Sequence, residues 1–379
     1  MRILHVTNIV SHHQLPLARS FARLVGADNF RFATTDPPSL ERQRLGWASD
    51  VDEPWFIGAG ENSAAAAEFE RWWDLADVVI CGERRFKRMK DRVDAGKLTF
   101  YMSERWWKPP VGAARLLVPR FSLMAAQFRK LAQSEFFHYL PMGGLAAGDL
   151  KRIVAMPGRM WEWGYFTDTS AAASTTTDRA SNRSVLWAGR MLGWKRVDTL
   201  IRAFSVLQDK FPDARLTLVG DGPERLRLES LASKLIKHGN CEFRGAVRAP
   251  EVIKLMQQHA IYVLPSNGYE GWGAVVNEAM ASGSAVVASK VTGAAASVIT
   301  HGANGLLFDP GNWRSLRDNL DLLFHDPDMR SAVASAGQHT ISKFWSPEVA
   351  ATRFVALSEA LLERRHATPD YTSGPMSPA

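Results

Sequence analysis

Short apolar runs alternate along this chain with longer stretches whose apolar positions recur every three or four residues. The first run, Arg2-Ile-Leu-His-Val-Thr7, is continuous enough for a strand buried on both faces. Phe30–Ala33, Ala76–Cys81 and Leu98–Met102 read as further strands, with helical patterns over Pro16–Val25 and Ala64–Trp73. The rhythm restarts at Ser184–Gly189 and continues through Arg215–Gly220, Cys241–Gly245, Ile261–Leu264 and Ala285–Ala288. Helical patterns over Val197–Phe211 and Val275–Ala281 lie between those strands. Strand–helix alternation of this kind predicts βαβ units and parallel sheets, hence an α/β fold.

The boundaries follow from composition. Residues 167–183 are small and polar, with no large apolar residue after Thr167, and predict a linker. That leaves a first domain over 1–166, joined by a last helix over 347–365, and a second over 184–346. The Pro/Ser/Gly-rich residues 366–379 are expected to be a disordered tail. Both domains read as doubly wound and Rossmann-like. Such domains facing a central cleft would place the carboxyl ends of both sheets, where ligands bind, across it.

With 379 residues, 46% of them hydrophobic, each domain has enough apolar material for a core. No apolar run reaches the roughly 18 residues of a membrane span. The opening MRILHVTNIVSHHQ lacks the architecture of a secretory signal, so a cytoplasmic setting is expected. Cys81 and Cys241 form neither a disulfide framework nor a C-x-x-C metal site.

Charge changes the picture further. The chain carries a formal net charge of +7. Between Glu83 and Lys130, thirteen basic residues stand against four acidic ones, a larger surplus than the whole chain's. A basic surplus serves nucleic acid, an anionic membrane or a phosphorylated small molecule. No nucleic-acid module is recognisable, so nucleic acid is not an expected partner. The apolar–basic mixture from Arg115 to Lys130 could lie on an anionic membrane or simply cover a core, and Pro119 limits any helix through it.

Three segments carry candidate chemistry. Gly189-Arg190-Met-Leu-Gly193-Trp-Lys195-Arg196 follows a strand and precedes a helix, where glycine, free amides and cations suit an anion. It lacks the Gly-Lys-Ser/Thr ending of a P-loop, and a solvated basic loop is the other reading. Gly220-Asp-Gly222-Pro-Glu-Arg225 has arginine where a dinucleotide fingerprint needs a small residue, and reads as a tight turn into a helix. In Pro265-Ser-Asn-Gly-Tyr-Glu270-Gly271-Trp272-Gly273, a polar glycine loop leads to a helix starting near Gly273, with Glu278 in its second turn. Carboxylates there suit the vicinal hydroxyls of a sugar or ribose; an exposed helix carboxylate is the alternative for Glu278.

Taken in order, these landmarks resemble the C-terminal domain of GT-B-fold glycosyltransferases of the large retaining family 4. They are Gly189-Arg190 with Lys195, Val219-Gly220-Asp-Gly222, Phe243-Arg-Gly245, Pro265-Ser266, Glu270 with Glu278, and Gly305-Leu-Leu-Phe-Asp-Pro310. The resemblance implies glycosyl transfer from a nucleotide-diphosphate sugar, with retention at the anomeric carbon. Glu270, Arg190 and Lys195 would be the catalytic residues. Arg190 and Lys195 would hold the diphosphate, aided by the amides of Gly271, Trp272 and Gly273. Glu270 would contact the donor sugar, Glu278 the ribose, and Phe243, Arg244 and Gly245 the base, with Gly189 and Gly220 completing the donor site. No metal and no separate cofactor are implied, since cations would neutralise the leaving group.

The first half matches less closely. Ser11-His12-His13-Gln14 replaces the family's glycine-rich loop, as in a subset of polysaccharide-cluster enzymes that share a Trp-Gly-Tyr-Phe segment, here Trp163–Phe166. His12, His13, Gln14 and Glu104 are the acceptor-side candidates; structural histidines and a local ion pair for Glu104 are the plain alternatives. The expected acceptor is a saccharide or a lipid-diphosphate-linked sugar, with the enzyme peripheral on the inner membrane face. A nucleotide-sugar epimerase of the same fold and a non-catalytic sugar-nucleotide binder are the competing functions.

Overall fold

The computed structural model describes residues 1–37, 51–108, 112–169, 183–237, 239–364 and 371–379. The chain divides into two compact units, Met1–Thr167 with Trp345–Ala379, and Asp168–Phe344. Most of the expected linker, positions 170–182, lies outside the described residues.

The first unit is built on six parallel strands: β1 (Ile3–Thr7), β2 (Phe30–Thr34), β3 (Phe56–Gly58), β4 (Val78–Cys81), β5 (Leu98–Ser103) and β6 (Phe137–Pro141). Their spatial order is β3-β2-β1-β4-β5-β6. The central strands are buried along their whole length, so both faces must be covered by helices. Helices α1 (Leu15–Val25), α2 (Ser63–Leu75), α3 (Phe86–Asp94), α4 (Pro119–Leu131) and α5 (Ala146–Lys151) do so from this half of the chain.

The second unit repeats the plan. Strands β7 (Ser184–Ala188), β8 (Arg215–Val219), β9 (Cys241–Gly245), β10 (Ile261–Leu264), β11 (Ala285–Ser289) and β12 (Leu306–Phe308) lie in the order β12-β11-β10-β7-β8-β9. Read from each unit's first strand, both orders are 3-2-1-4-5-6. In both, the winding direction reverses between the first and fourth strands, the place beyond whose carboxyl ends doubly wound sheets bind ligands.

The last helix, α13 (Pro347–Leu362), packs on the first unit. Phe354 meets Phe21 at 5.4 Å and Phe100 at 4.7 Å between ring centres, and Arg23 pairs with Glu348 at 2.9 Å. Trp345, placed by composition in the second domain, belongs to the first: its ring stacks on Phe166.

The expected disordered tail needs a larger correction. Residues 365–370 lie outside the described residues, but Tyr371–Ala379 are ordered against the first unit. Glu162 and Met160 exchange backbone hydrogen bonds with Met376, Ser377 and Ala379, and the Met376 side chain is fully buried. Arg353 lies 3.9 Å from the Tyr371 ring centre. A small-residue composition concealed one anchoring apolar side chain.

Much of the basic stretch is structural. Arg92 on α3 is buried and donates to the carbonyls of Trp73 and Ala76 at the end of α2, where a cation offsets the helix dipole. Arg85, Arg88 and Lys90 pair with Glu83, Glu70 and Asp94. Pro119 opens α4 instead of interrupting it. Met124, Ala125, Phe128 and Leu131 face the core, while Leu117, Val118 and Leu123 are exposed.

Candidate functional site

Three of the expected glycines meet at the carboxyl ends of β7, β8 and β9. The Gly189 amide donates to the Val219 carbonyl at 3.0 Å, and the Gly220 amide to the Gly245 carbonyl at 2.7 Å. A Cβ on Gly220 would fall 1.8 Å from the Gly189 oxygen, and one on Gly222 2.6 Å from the Met191 oxygen. The Gly-x-Gly segment is therefore required by close packing of two loops, which agrees with a turn and needs no dinucleotide. The helix that follows, α7 (Arg225–Leu235), begins two residues after Pro223.

The loop held by these glycines carries Arg190 and Lys195. Arg190 is exposed, with no carboxylate within ion-pair distance among the described residues. Lys195 behaves differently. Its Nζ lies 2.6 Å from Glu270 Oε2, and the same oxygen accepts from Ser266 Oγ at 2.8 Å. The side chains of Lys195 and Glu270 are only 15% and 10% exposed, so the pair is largely withdrawn from water. Arg196 is committed to Asp198 at 3.1 Å.

Glu270 is delivered by the loop after β10, which is tied to the Lys195 loop by the Asn267 amide donating to the Trp194 carbonyl at 2.9 Å. Trp272 is buried, and its indole donates to Asn277 Oδ1 at 2.9 Å. The carbonyls of Gly271 and Trp272 accept from Gly293 and Ala294. Gly273 adopts φ +85°, a left-handed turn that glycine supplies most readily. Helix α9 spans Val275–Ala281, so buried Glu278 lies in its first turn and not the second, near the positive end of the helix. Tyr262 on β10 donates to the Ala188 carbonyl at 3.1 Å. Burial raises its phenol, and the nearby carboxylates of Glu278 and Glu270 add to the rise.

Phe243 is half-buried on β9 against the sheet core, and Arg244 is exposed and pairs with Glu242 at 2.9 Å. Ser266 was missed by sequence reasoning as a site residue, although the Pro265-Ser266 pair was a visible landmark.

The first unit has its own cavity at the equivalent place, beyond the ends of β1, β4 and β5. It measures about 420 Å3 and is lined by Gln14 and Glu104 among the acceptor-side candidates. Glu104 pairs with Lys108 at 3.0 Å. Arg105 is gripped by Asp149 through two bonds of 3.1 and 2.9 Å, and Asp149 also accepts from the Trp107 amide. His12 and His13 are not among the lining residues. Their rings stand 3.8 Å apart, and His13 is 6.1 Å from the lining residue Tyr165. Arg84, Arg105 and Asp149 escaped sequence reasoning; only the crowding of basic residues hinted at the first two.

Residues 176–340 match the family model described as glycosyl transferases group 1. That match falls within the second unit and covers under half of the chain. An uncharacterized glycosyltransferase of Haemophilus influenzae is 32% identical over 40% of this chain and 42% of its own. A D-inositol 3-phosphate glycosyltransferase of Pseudarthrobacter chlorophenolicus is 31% identical over 52% of this chain and 45% of its own. The chain thus spans under half the length of these curated relatives. Among solved structures, Anabaena HepE in complex with UDP superposes with a TM-score of 0.68 at 18% identity, covering 96% of this chain and 100% of HepE. WaaG, a glycosyltransferase involved in lipopolysaccharide biosynthesis, gives 0.62 at 20% identity, covering 92% of this chain and 98% of its own. At such identity the likeness concerns fold, and the fold is GT-B, with two doubly wound α/β units. Among the described residues no helix is long and apolar enough to cross a membrane.

Proposed function

We propose that this protein is a glycosyltransferase that moves a sugar from a nucleotide-diphosphate donor to an acceptor, retaining the anomeric configuration and using no metal. The observation that supports this most is the Lys195–Glu270 pair within the residues that match the glycosyl transferases group 1 family, beside exposed Arg190 at the switch point of the sheet. A leaving diphosphate gains negative charge in the transition state, and preorganised cations at that position lower the barrier. Arg190 and Lys195 would take this role, with the backbone of Gly271–Gly273 beside them. Glu270, already held by Ser266, would exchange Lys195 for donor-sugar hydroxyls, and Glu278 would bind the ribose. An oxocarbenium-like transition state would be stabilised by the departing diphosphate, which also accepts the acceptor's proton.

HepE was crystallised with UDP and with UDP-glucose, and this supports a nucleotide sugar as the class of donor here. The exposed Leu117, Val118 and Leu123 beside basic residues are compatible with the expected peripheral membrane position. The deciding experiment is a thermal-shift screen of UDP-, GDP- and ADP-sugars, followed by turnover with and without EDTA. A shift with one nucleotide and turnover undiminished by EDTA are expected. Absence of any shift would overturn the donor assignment, and strict dependence on added divalent metal would overturn the metal-free mechanism.

A further inference from the structure

The cavity of the first unit has a charge balance that can be followed residue by residue. Four cations line it, Arg84, Arg105, Lys108 and Arg115, with Glu104 as the one acidic lining residue. Arg105 is neutralised by Asp149 from behind, and Lys108 by Glu104. Arg84 and Arg115 have no carboxylate within 4.0 Å among the described residues. Arg115 leans on the Phe121 ring at 5.6 Å, a contact that orients a guanidinium without cancelling its charge. The neighbouring basic residues Arg85, Arg88 and Lys90 are all paired elsewhere, and Arg92 is buried. The uncompensated charge of this cavity therefore rests on two guanidinium groups.

The surroundings are prepared in the same sense. The Ser103 hydroxyl accepts from the Trp106 indole at 3.0 Å and lies 3.0 Å from the Tyr139 hydroxyl, so the floor is fixed by its own hydrogen bonds. Arg105 cannot swing away, because Asp149 is buried and holds it at two points. The volume, about 420 Å3, suits a ligand the size of one or two sugar rings with a substituent. Aromatic walls from Tyr101, Phe121 and Tyr165 can lie against a ring.

We propose that this cavity binds the acceptor through a phosphate group, with Arg84 and Arg115 as its principal ligands. The proposal rests on the glycosyltransferase reading and adds the chemical class of the acceptor. Guanidinium forks match phosphate oxygens in geometry, and a phosphate bearing two charges balances both arginines where a carboxylate would balance one. Arg84 is exposed and Arg115 half-buried, and a neutral saccharide would leave both without a counter-charge.

The test is calorimetric titration of the full chain with inorganic phosphate and with glycerol phosphate, comparing the wild type, Arg84→Gln/Arg115→Gln and Arg190→Gln. Glutamine keeps polar contacts and removes charge at two sites that carry no ion pair among the described residues, and a thermal melt confirms that each variant is folded. The double variant is expected to bind about ten- to a hundredfold more weakly, while Arg190→Gln keeps the same component. Flotation with phosphatidylcholine vesicles, plain or doped with a polyprenyl phosphate, separates the sources. Capture by doped vesicles alone assigns a lipid-borne phosphate. Binding of glycerol phosphate without vesicle capture assigns a soluble one. Phosphate binding equal in the wild type and the double variant, or absent from the wild type, overturns the proposal. The nucleotide-sugar thermal shift is read on the same variants. Its retention in Arg84→Gln/Arg115→Gln isolates the acceptor site, and its absence from the wild type would fail the donor reading without touching the phosphate result.

Discussion

Lys195 Nζ lies 2.6 Å from Glu270 Oε2, joining two loops that are 75 residues apart in sequence. The contact gives the two cations of the loop after β7 different jobs, because Arg190 is exposed and unpaired among the described residues. Lys195→Ala removes a cation from the diphosphate position and leaves Glu270 largely buried with Ser266 alone. It is expected to lower kcat by about 10²–10³ and also to lower Tm, since breaking a buried pair leaves one charge unanswered. Arg190→Ala is expected to lower activity without moving Tm by more than about 2 °C. Steady-state kinetics and a thermal melt on both variants check the split; full activity in Lys195→Ala would remove the residue from the site.

Gly220 shows how tightly the same loops are stacked. Its φ is +129°, and an added Cβ would lie 1.8 Å from a backbone oxygen that cannot yield as a flexible side chain would. Gly220→Ala is therefore expected to cost roughly 3 kcal/mol or more, from strain and overpacking together. For a unit of this size that is about 6–12 °C in Tm. Gly193, in the neighbouring loop, has nothing within 4 Å of a built Cβ, and Gly193→Ala should melt like the wild type. Equal melting of the two variants would contradict the packing.

The reach of the sequence can be judged from these loops. The strands that supply them were legible because β7 and β10 are short, largely apolar runs and β8 carries three apolar residues in five, and the glycines and glutamates stood at recognisable spacings. What they touch was not legible. That Glu270 holds Lys195 depends on two loops meeting across a sheet, and Asp149 reaches Arg105 over 44 residues. No local pattern encodes either contact. The three-residue strands β3 and β12 are too short for a period to emerge. The basic surplus was visible as a count, but only the contacts show that Arg85, Arg88, Lys90, Arg105 and Lys108 are paired and Arg92 is buried, while Arg84 and Arg115 line the first unit's cavity with no carboxylate within 4.0 Å among the described residues.

Two buried histidines make the first unit sensitive to acid. His5 lies in the middle of β1 beside Phe32, and neither ring nitrogen has a hydrogen-bond partner among the described residues. His138 is stacked on Phe100 and accepts from the Trp161 indole at 3.0 Å. Burial lowers both from 6.5 to about 3. The unfolded chain then takes up protons that the folded chain refuses, so stability is full above pH 6.5 and is lost as pH falls from there towards 3. Each histidine costs on the order of 1 kcal/mol per pH unit in that window. Urea midpoints at pH 7.5 and 5.5 should differ clearly, and His5→Phe should roughly halve the difference. An unchanged pH dependence in that variant would place the sensitivity elsewhere.

The final prediction concerns Tyr371–Ala379. If this segment were the unstructured end its composition suggests, deleting it would leave stability unchanged. Instead Met376 is completely buried, and the backbone hydrogen bonds from Met376 to Glu162, Glu162 to Ser377 and Ala379 to Met160 measure 2.8, 2.8 and 3.0 Å. The same strip carries Trp161, whose indole holds His138. Burying a methionine side chain stabilises by about 1.5–3 kcal/mol. Its φ of +64° takes back part of this, since a residue with a Cβ is held in the left-handed region. Removing residues 371–379 is expected to lower Tm by several degrees and to speed hydrogen exchange at Trp161 and Glu162. Met376→Ala should reproduce most of the loss, because the side chain, more than the chain ends around it, anchors the strip. A truncated protein with wild-type Tm and unchanged exchange would show that the segment contributes nothing to the fold.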